Sequence, residues 1–277
     1  MLRSRLLDEH GFAHGFSTRE GGVSAAPYEA MNLARNVGDD PVAVAENHTR
    51  FAALVGYDLP RLAESSQVHG VCCLDVDALV EAGVLDVSRC RAEQADALRT
   101  SVRGVAVGVR TADCVPLLVG DVRRGQVAAI HAGWRGAVEG VVVRTLGALL
   151  ASGSEAADLV VAIGPHIRVA SFEVGADVAR AIDEAVPRER RDDAERLAGP
   201  AVIAPTGGRP HACLLTLVLA QLLAAGVEEA RIDDVGGDTC AERARFHSHR
   251  RDGAQSGRQL SVIVARGPTS RRDGVDA

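Results

Sequence analysis

The 277-residue sequence contains no lysine, so all 31 of its basic residues are arginine. Schiff-base chemistry and phosphate loops of the P-loop type both need a lysine side chain, so both are excluded. Methionine and tryptophan are also scarce, with two residues and one residue respectively. We interpret the arginine bias, together with the abundance of alanine and valine, as genome composition rather than as a functional signature.

The sequence also lacks an apolar run of membrane-spanning length and the apolar core of a signal peptide. These absences predict a cytoplasmic protein with no membrane partner. There its six cysteines, at positions 72, 73, 90, 114, 213 and 240, are expected to stay reduced, and no CxxC pair indicates a redox or zinc-knuckle motif. A net charge of −6 without any basic run argues against a nucleic-acid surface.

Hydrophobic residues make up 47% of the chain, enough for a substantial core. Neither a linker nor an internal repeat divides residues 1–277, which predicts one domain, with a frayed polar tail at 267–277. The apolar runs that predict strands come in clusters rather than in regular alternation with helices, which favours the α+β class. The predicted strands span 71–76, 104–110, 115–119, 127–130, 158–163, 232–235 and 260–265. The predicted helices span 41–55, 137–150, 174–186 and 214–225.

Residues 115–119 and 127–130 are joined by a polar segment that ends in glycine, which predicts a β-hairpin. Folding about that loop is expected to place Cys114, at the start of the first strand, opposite His131, at the end of the second. Residues that face each other across an antiparallel pair lie about 4.5–5.5 Å apart at Cα. A thiol and an imidazole therefore meet at one end of the hairpin, as a metal site or a thiol nucleophile requires.

His69 is the third candidate ligand, in the segment QVHG at 67–70, where strand alternation would place Gln67 and His69 on one face. Each of the three candidates alone is more often structural than a ligand. Together, two imidazoles and one thiolate match a catalytic zinc that keeps its fourth position for water or substrate. Copper is disfavoured, because a blue-copper site needs an axial methionine and only Met1 and Met31 exist.

Two arginine-bearing segments are candidates for binding an anion. The segment GWRG at 133–136 precedes a predicted helix, whose free N–H groups and Arg135 could bind a phosphate or carboxylate. Equally, its glycines could only make the turn and Arg135 could be solvated. Arg250 and Arg251, with His249, could bind the same anions or form a solvated basic loop.

A metal-free alternative uses the same hairpin. Cys114 could act as a nucleophile with His131 as its base, as in thiol hydrolases. Asp113 could orient His131 or serve as a second acid or base, and it could equally be only a turn-forming residue.

Several motifs follow one another in order along almost the whole chain. They are FSTREGGVS (16–24), MNLARNVGDD (31–40), QVHG (67–70), ADAL (95–98), TADCVPLL (111–118), HAGWRG (131–136), IGPHI (163–167), FEVG (172–175), and FHSHRRDG with GRQLS (246–261). These motifs resemble those of the bacterial laccase-domain family, also called multicopper polyphenol oxidase or purine nucleoside phosphorylase family proteins. The resemblance implies a four-layer αββα sandwich with mixed sheets, similar to the catalytic domain of cytotoxic necrotizing factors. It also implies a metal, usually zinc, on His69, Cys114 and His131.

The activity that the resemblance implies is phosphorolysis of adenosine, guanosine and methylthioadenosine, together with deamination of adenosine. Some members are described as phenol oxidases and others as editing factors for peptidoglycan precursors. A copper-dependent phenol oxidase and an amide hydrolase therefore stay as alternatives. We expect purine nucleoside and phosphate as partners, and a monomer or weak homodimer. The predicted catalytic residues are Cys114, His131 and Asp113, and the predicted substrate-binding residues are Gln67, Arg135 and Arg250.

The sequence departs from the family pattern in three places. Ala170-Ser171 stands where many members have paired cysteines, and His48 stands where an arginine is common. The segment CLLTLV at 213–218 lacks the usual aspartate. These departures leave the three candidate ligands unchanged and bear on the shape of the pocket and the choice of substrate.

Overall fold

The computed structural model describes residues 1–81 and 84–267, so the predicted tail lies outside the described residues from position 268 onward. Within these ranges, no helix is both long and apolar enough to cross a bilayer. The strands are β1 (His14–Phe16), β2 (Leu62–Ala63), β3 (Cys73–Asp75), β4 (Val80–Glu81), β5 (Val84–Leu85), β6 (Ala97–Thr100), β7 (Ala106–Thr111), β8 (Val115–Asp121), β9 (Val127–Ala132), β10 (Leu159–Ile163), β11 (Val202–Ile203), β12 (His211–Ala212), β13 (Ile232–Asp234) and β14 (Gln259–Val264). The α-helices are α1 (Arg5–Glu9), α2 (Pro41–Val55), α3 (Val87–Ala92), α4 (Trp134–Glu139), α5 (Val141–Ala151), α6 (Ala176–Ala185), α7 (Arg191–Ala198), α8 (Leu214–Ala224) and α9 (His249–Asp252).

Two mixed sheets form the centre of the molecule. The four-stranded sheet has the order β1-β14-β7-β2, and only the β7–β2 pair is parallel. The six-stranded sheet has the order β13-β10-β8-β9-β6-β3, with parallel pairs at its two edges and antiparallel pairs between them. This architecture confirms the predicted α+β class with mixed sheets.

The side-chain alternation of the central strands divides the apolar core. In β8, Leu117 and Val119 pack against the helices, including α5 and α8, whereas Leu118 packs between the two sheets. A third cluster, which contains Phe51 and Leu260, lies between the four-stranded sheet and α2. Strands covered on both faces can be apolar at every position, which explains why the runs in β8 and β9 show no polar alternation.

Helix α2 begins and ends as the sequence predicts. The Asp40 carboxylate accepts a hydrogen bond from the Val42 N–H at 3.0 Å, and Gly56 ends the helix with φ of 89°. The single helix predicted over 137–150 was wrong, because Gly140 adopts φ of 90° and separates α4 from α5. The sequence did not predict strand β6, because the hydrophobic residues in 77–100 show no clear periodicity.

The cap of α2 can be tested by stability measurements. Replacing Asp40 with alanine leaves a first-turn N–H without its acceptor, so we expect the free energy of unfolding to fall by about 1 kcal/mol. Asp58 is the matched control, because it precedes a short 3₁₀ turn without any side-chain cap hydrogen bond. Urea unfolding of Asp40→Ala and Asp58→Ala measures the difference, and equal losses in the two variants would contradict the capping role.

Candidate metal centre

Strands β8 and β9 form the predicted hairpin, with a register that differs from the expected one. His131 pairs with Pro116, and Ala132 pairs with Val115, so His131 is not directly opposite Cys114. Cys114 lies two residues before Pro116 and is therefore the diagonal neighbour of His131 on the same face of the sheet. The two side chains still come together, as diagonal neighbours rather than as the directly opposite pair that was predicted.

His69, Cys114 and His131 converge at this end of the hairpin. Their candidate ligand atoms all lie within 4.8 Å of one another, and the Cys114 Sγ lies 3.8 Å from the His69 Nε2. The two imidazole rings are nearly perpendicular, with centroids 4.8 Å apart. His131 is buried, Cys114 is half-buried and His69 is exposed, so the group opens toward solvent on the side of His69.

His69 reaches the hairpin from a loop rather than from a strand. Its backbone has φ of 60°, in the left-handed region that few non-glycine residues adopt. The expectation that Gln67 and His69 share one face of a strand was therefore wrong. The Gln67 side chain instead bonds the main chain of Arg110, donating to its carbonyl at 2.7 Å and accepting from its N–H at 2.8 Å.

Asp96 organises both histidines, and sequence reasoning assigned it no role. Its side chain is fully buried, and its Oδ1 lies 2.7 Å from the Nδ1 of His131. The same carboxylate accepts the backbone N–H groups of three successive loop residues at 2.7–3.1 Å; they are Val68, His69 and Gly70. A histidine that donates from Nδ1 to a carboxylate presents Nε2 to a metal. The sequence does contain a signal for this role, since Asp96 is an acidic residue in the otherwise apolar segment ADAL. A carboxylate in a buried segment needs hydrogen-bond partners.

The site favours a charged thiolate and a charged imidazole. Burial alone would raise the pKa of Cys114, but the His131 charge and hydrogen bonds from both imidazoles outweigh burial and lower that pKa to about 6. Burial would likewise lower the pKa of His131, but the Cys114 charge and the hydrogen bond to Asp96 raise it to about 9. Cysteine binds metals and attacks electrophiles as the thiolate, so the surroundings already favour the reactive form.

Gly133 provides the space in which the ligands approach one another. A Cβ atom at this position would lie 2.7 Å from the His69 Cδ2 and 3.1 Å from the Cys114 Sγ. The first distance is shorter than any ordinary contact, so a side chain at 133 would push the imidazole away. The absence of a Cβ and the N₂S donor set both fit a bound zinc ion.

Asp113 and two of the predicted anion-binding arginines surround this group. Asp113 has φ of 95°, and its carboxylate accepts from the Thr239 hydroxyl at 2.7 Å and from the Arg250 N–H at 2.6 Å. Of the roles open to Asp113, the one of orienting His131 belongs to Asp96, whose carboxylate contacts the His131 Nδ1. Arg250 donates from Nη1 to the Glu173 carbonyl at 2.7 Å, and Arg135 is exposed above the Trp134 ring, 4.4 Å from its centroid.

A cavity of about 720 Å³ opens in front of the three candidate ligands. Four arginines line it, and Asp113 is the sole carboxylate among its lining residues. The arginines are Arg110, Arg135, Arg250 and Arg258. The lining is therefore strongly positive and suits an anionic or phosphate-bearing ligand.

Comparisons with known proteins match nearly the whole chain. A sequence model of the family described as "Multi-copper polyphenol oxidoreductase laccase" matches residues 13–266. A purine nucleoside phosphorylase of Mycobacterium tuberculosis is 38% identical over 247 residues, which cover 89% of each chain. The adenosine deaminase RL5, from an unknown prokaryotic organism, is 34% identical and aligns over 90% of this chain and 92% of its own. The crystal structure of the hypothetical protein YfiH of Bacillus licheniformis superposes with a TM-score of 0.82 at 27% identity, covering 93% of each chain.

Proposed function

Because the chain belongs to the multi-copper polyphenol oxidoreductase laccase family, we propose that it is a metal-dependent enzyme of purine nucleosides. In this proposal it phosphorolyses adenosine, guanosine and methylthioadenosine, and it deaminates adenosine. The observation that carries the proposal is the group His69, Cys114 and His131 at the wall of an arginine-lined cavity. Relatives named purine nucleoside phosphorylase and adenosine deaminase support it.

The proposed metal is zinc, held by His69 and His131 through imidazole nitrogens and by Cys114 through its thiolate. Zinc bound there would supply Lewis-acid polarisation of a substrate group. Asp96 would hold His131 in the tautomer that binds metal, and the same carboxylate would hold the loop that carries His69. Cys114, His131 and Asp113 stay the proposed catalytic residues.

Phosphorolysis also requires a phosphate ion beside the sugar, and the chain supplies positive charge for it. Arg135 and Arg250 are among the residues that line the cavity, and Gln67 lines it from the loop of His69. We keep these three as the proposed substrate-binding residues. The proposal further includes a four-layer αββα arrangement, which the three core clusters support, and a cytoplasmic monomer or weak homodimer.

Copper-dependent phenol oxidation is the second candidate, favoured by the description of the matching family. The surroundings of the site argue against it. Met31 is buried in the core beside α2 and Met1 packs against that same core, so neither is among the residues that line the cavity. Across residues 1–81 and 84–267, no second group of histidine, cysteine or carboxylate ligands accompanies the first, as a multicopper centre would require.

Chromatography of purine products tests the proposal directly. Zinc-loaded enzyme is incubated with adenosine in the presence and absence of phosphate. We expect adenine that depends on phosphate, and inosine that forms without it. Absence of any purine product would contradict the proposal and favour the amide hydrolase of peptidoglycan precursors, acting through the same site. Oxygen consumption in the presence of phenols, by the copper-loaded but not the zinc-loaded protein, would favour the oxidase.

A further inference from the structure

Arg258 combines unused hydrogen-bond donors with shelter from solvent, whereas Arg135 and Arg250, which also have unused donors, are exposed. Its side chain is half-buried, and its Nη1 donates to the carbonyls of Ser256 at 2.7 Å and Gly257 at 2.9 Å. Within the described residues, no carboxylate forms an ion pair with Arg258, and its Nε and Nη2 have no hydrogen-bond acceptor. Two donors of a sheltered guanidinium are therefore available to a ligand.

The other three cavity arginines are engaged or exposed. Arg110 has its Nε 3.5 Å from the buried Glu64 carboxylate and donates from Nη2 to the Ser65 carbonyl at 2.8 Å. Arg250 donates to the Glu173 carbonyl, and Arg135 lies in solvent against Trp134. A sheltered positive charge with no carboxylate in direct contact is unfavourable, and an anion bound in the cavity would offset that penalty.

The backbone fixes Arg258 at the edge of the cavity. Its N–H donates to the Asn32 side chain at 2.9 Å, and its carbonyl accepts from the Leu33 N–H at 3.1 Å. In the β14–β7 pair, Leu260 lies opposite Arg110, so Arg258 is the diagonal neighbour of Arg110 as the chain enters β14. Burial lowers the pKa of Arg258, and the charges of Cys114 and Asp113 oppose that shift, which agrees with a position beside the metal centre.

We propose that Arg258 binds the phosphate co-substrate through its Nε and Nη2, with Arg110 adding a second positive charge from the neighbouring strand. This inference rests on the proposed phosphorolysis. Two parallel N–H groups on one edge of a guanidinium match two oxygens of a tetrahedral oxyanion. Arg258 is then the residue that contributes most to the affinity for phosphate, and the exposed Arg135 and Arg250 add positive charge to the lining of the same cavity.

Titration calorimetry with inorganic phosphate tests the proposal on zinc-loaded protein, together with the dependence of adenosine cleavage on phosphate concentration. In Arg258→Gln we expect both the Kd and the KM for phosphate to rise by about 10- to 100-fold, as for loss of a hydrogen-bonded charged group. The KM for adenosine stays within about twofold of the wild-type value if the lost contact is only to the anion. Arg180→Gln is the matched control, because Arg180 is exposed on α6 and outside the cavity, and it should bind phosphate like the wild type.

A conservative variant makes the test independent of any folding defect in Arg258→Gln. Arg258→Lys keeps the charge but cannot form the two-point contact, so its Kd for phosphate should lie between those of the wild type and the glutamine variant. An unchanged Kd and KM for phosphate in both variants would overturn the role of Arg258 while the phosphorolysis itself stands. Suppose instead that the wild-type protein binds phosphate but cleaves no nucleoside, and that Arg258→Gln no longer binds phosphate. That result would support the anion site and overturn the proposed function. A wild-type protein that does not bind phosphate would overturn the anion site.

Discussion

Replacing Cys114 with alanine should abolish tight zinc binding and lower purine-nucleoside turnover by more than about a hundredfold. Loss of a residue that only supports a metal ligand lowers activity by up to about a hundredfold, so loss of a ligand itself should cost more. The physical reason is the charge that the thiolate contributes. The surroundings lower its pKa to about 6, which favours the anion at neutral pH, and without it the two imidazoles offer zinc no negative ligand. The substitution removes one half-buried sulfur atom at the wall of the cavity, and His131 keeps its hydrogen bond to Asp96, so the fold should persist.

Zinc content after dialysis, measured by atomic absorption, and competition with a coloured chelator give the affinity directly. Cys240→Ala is the control, because Cys240 is also a half-buried free cysteine and does not line the cavity. We expect Cys240→Ala to retain one zinc per chain and wild-type turnover. A Cys114→Ala variant that still retains one tightly bound zinc would refute the ligand set.

Replacing Asp96 with asparagine should weaken zinc binding by about 10- to 100-fold, although Asp96 does not belong to the ligand set. Its carboxylate accepts the Nδ1–H of His131 and three backbone N–H groups of the loop that carries His69. An amide replaces one of the two acceptor oxygens with an NH₂ donor, which then faces N–H groups that have lost their acceptor. The single substitution therefore weakens the hydrogen bonds that orient both imidazoles.

Asp77 offers a matched control for this substitution. Its carboxylate also accepts several hydrogen bonds, from the Thr100 hydroxyl and from the N–H and hydroxyl of Ser101, at a place that does not line the cavity. Asp77→Asn should lower thermal stability without changing the affinity for zinc. If Asp96→Asn bound zinc as tightly as Asp77→Asn does, the effect of Asp96 would be only on stability.

The sequence was informative where local pattern decides structure. Strands β8, β9, β10 and β14 lie within two residues of the predicted ranges, because continuous valine-rich runs indicate strands buried on both faces. The same pattern could not reveal the break at Gly140, since a glycine in an apolar helical stretch either continues the helix or ends it. Strand β6 has only four residues, including Arg99, and its identity depends on pairing with β9 and β3.

The candidate site shows the same division between local and long-range information. Hairpin geometry and motif resemblance both indicated Cys114 and His131, and the structure brings them together with His69. The roles of Asp96 and Arg258 depend on contacts between distant segments, such as the 35 residues that separate Asp96 from His131. Nothing adjacent to Arg258 in the sequence indicates that no carboxylate among the described residues forms an ion pair with its guanidinium, because that is a property of the folded surroundings.

His69 and Asp113 are the two non-glycine residues that adopt positive φ in the part of the chain that the structure describes, and both belong to the candidate site. Such a conformation costs on the order of 1 kcal/mol per residue, and a glycine adopts it without that penalty. A glycine at 69 would keep the backbone hydrogen bond to Asp96 and relieve the strain, but it would remove one of the three candidate metal ligands. Thermostability and activity are therefore in conflict at this position. A laboratory selection that rewards only a higher melting temperature would act against the residues that make the site.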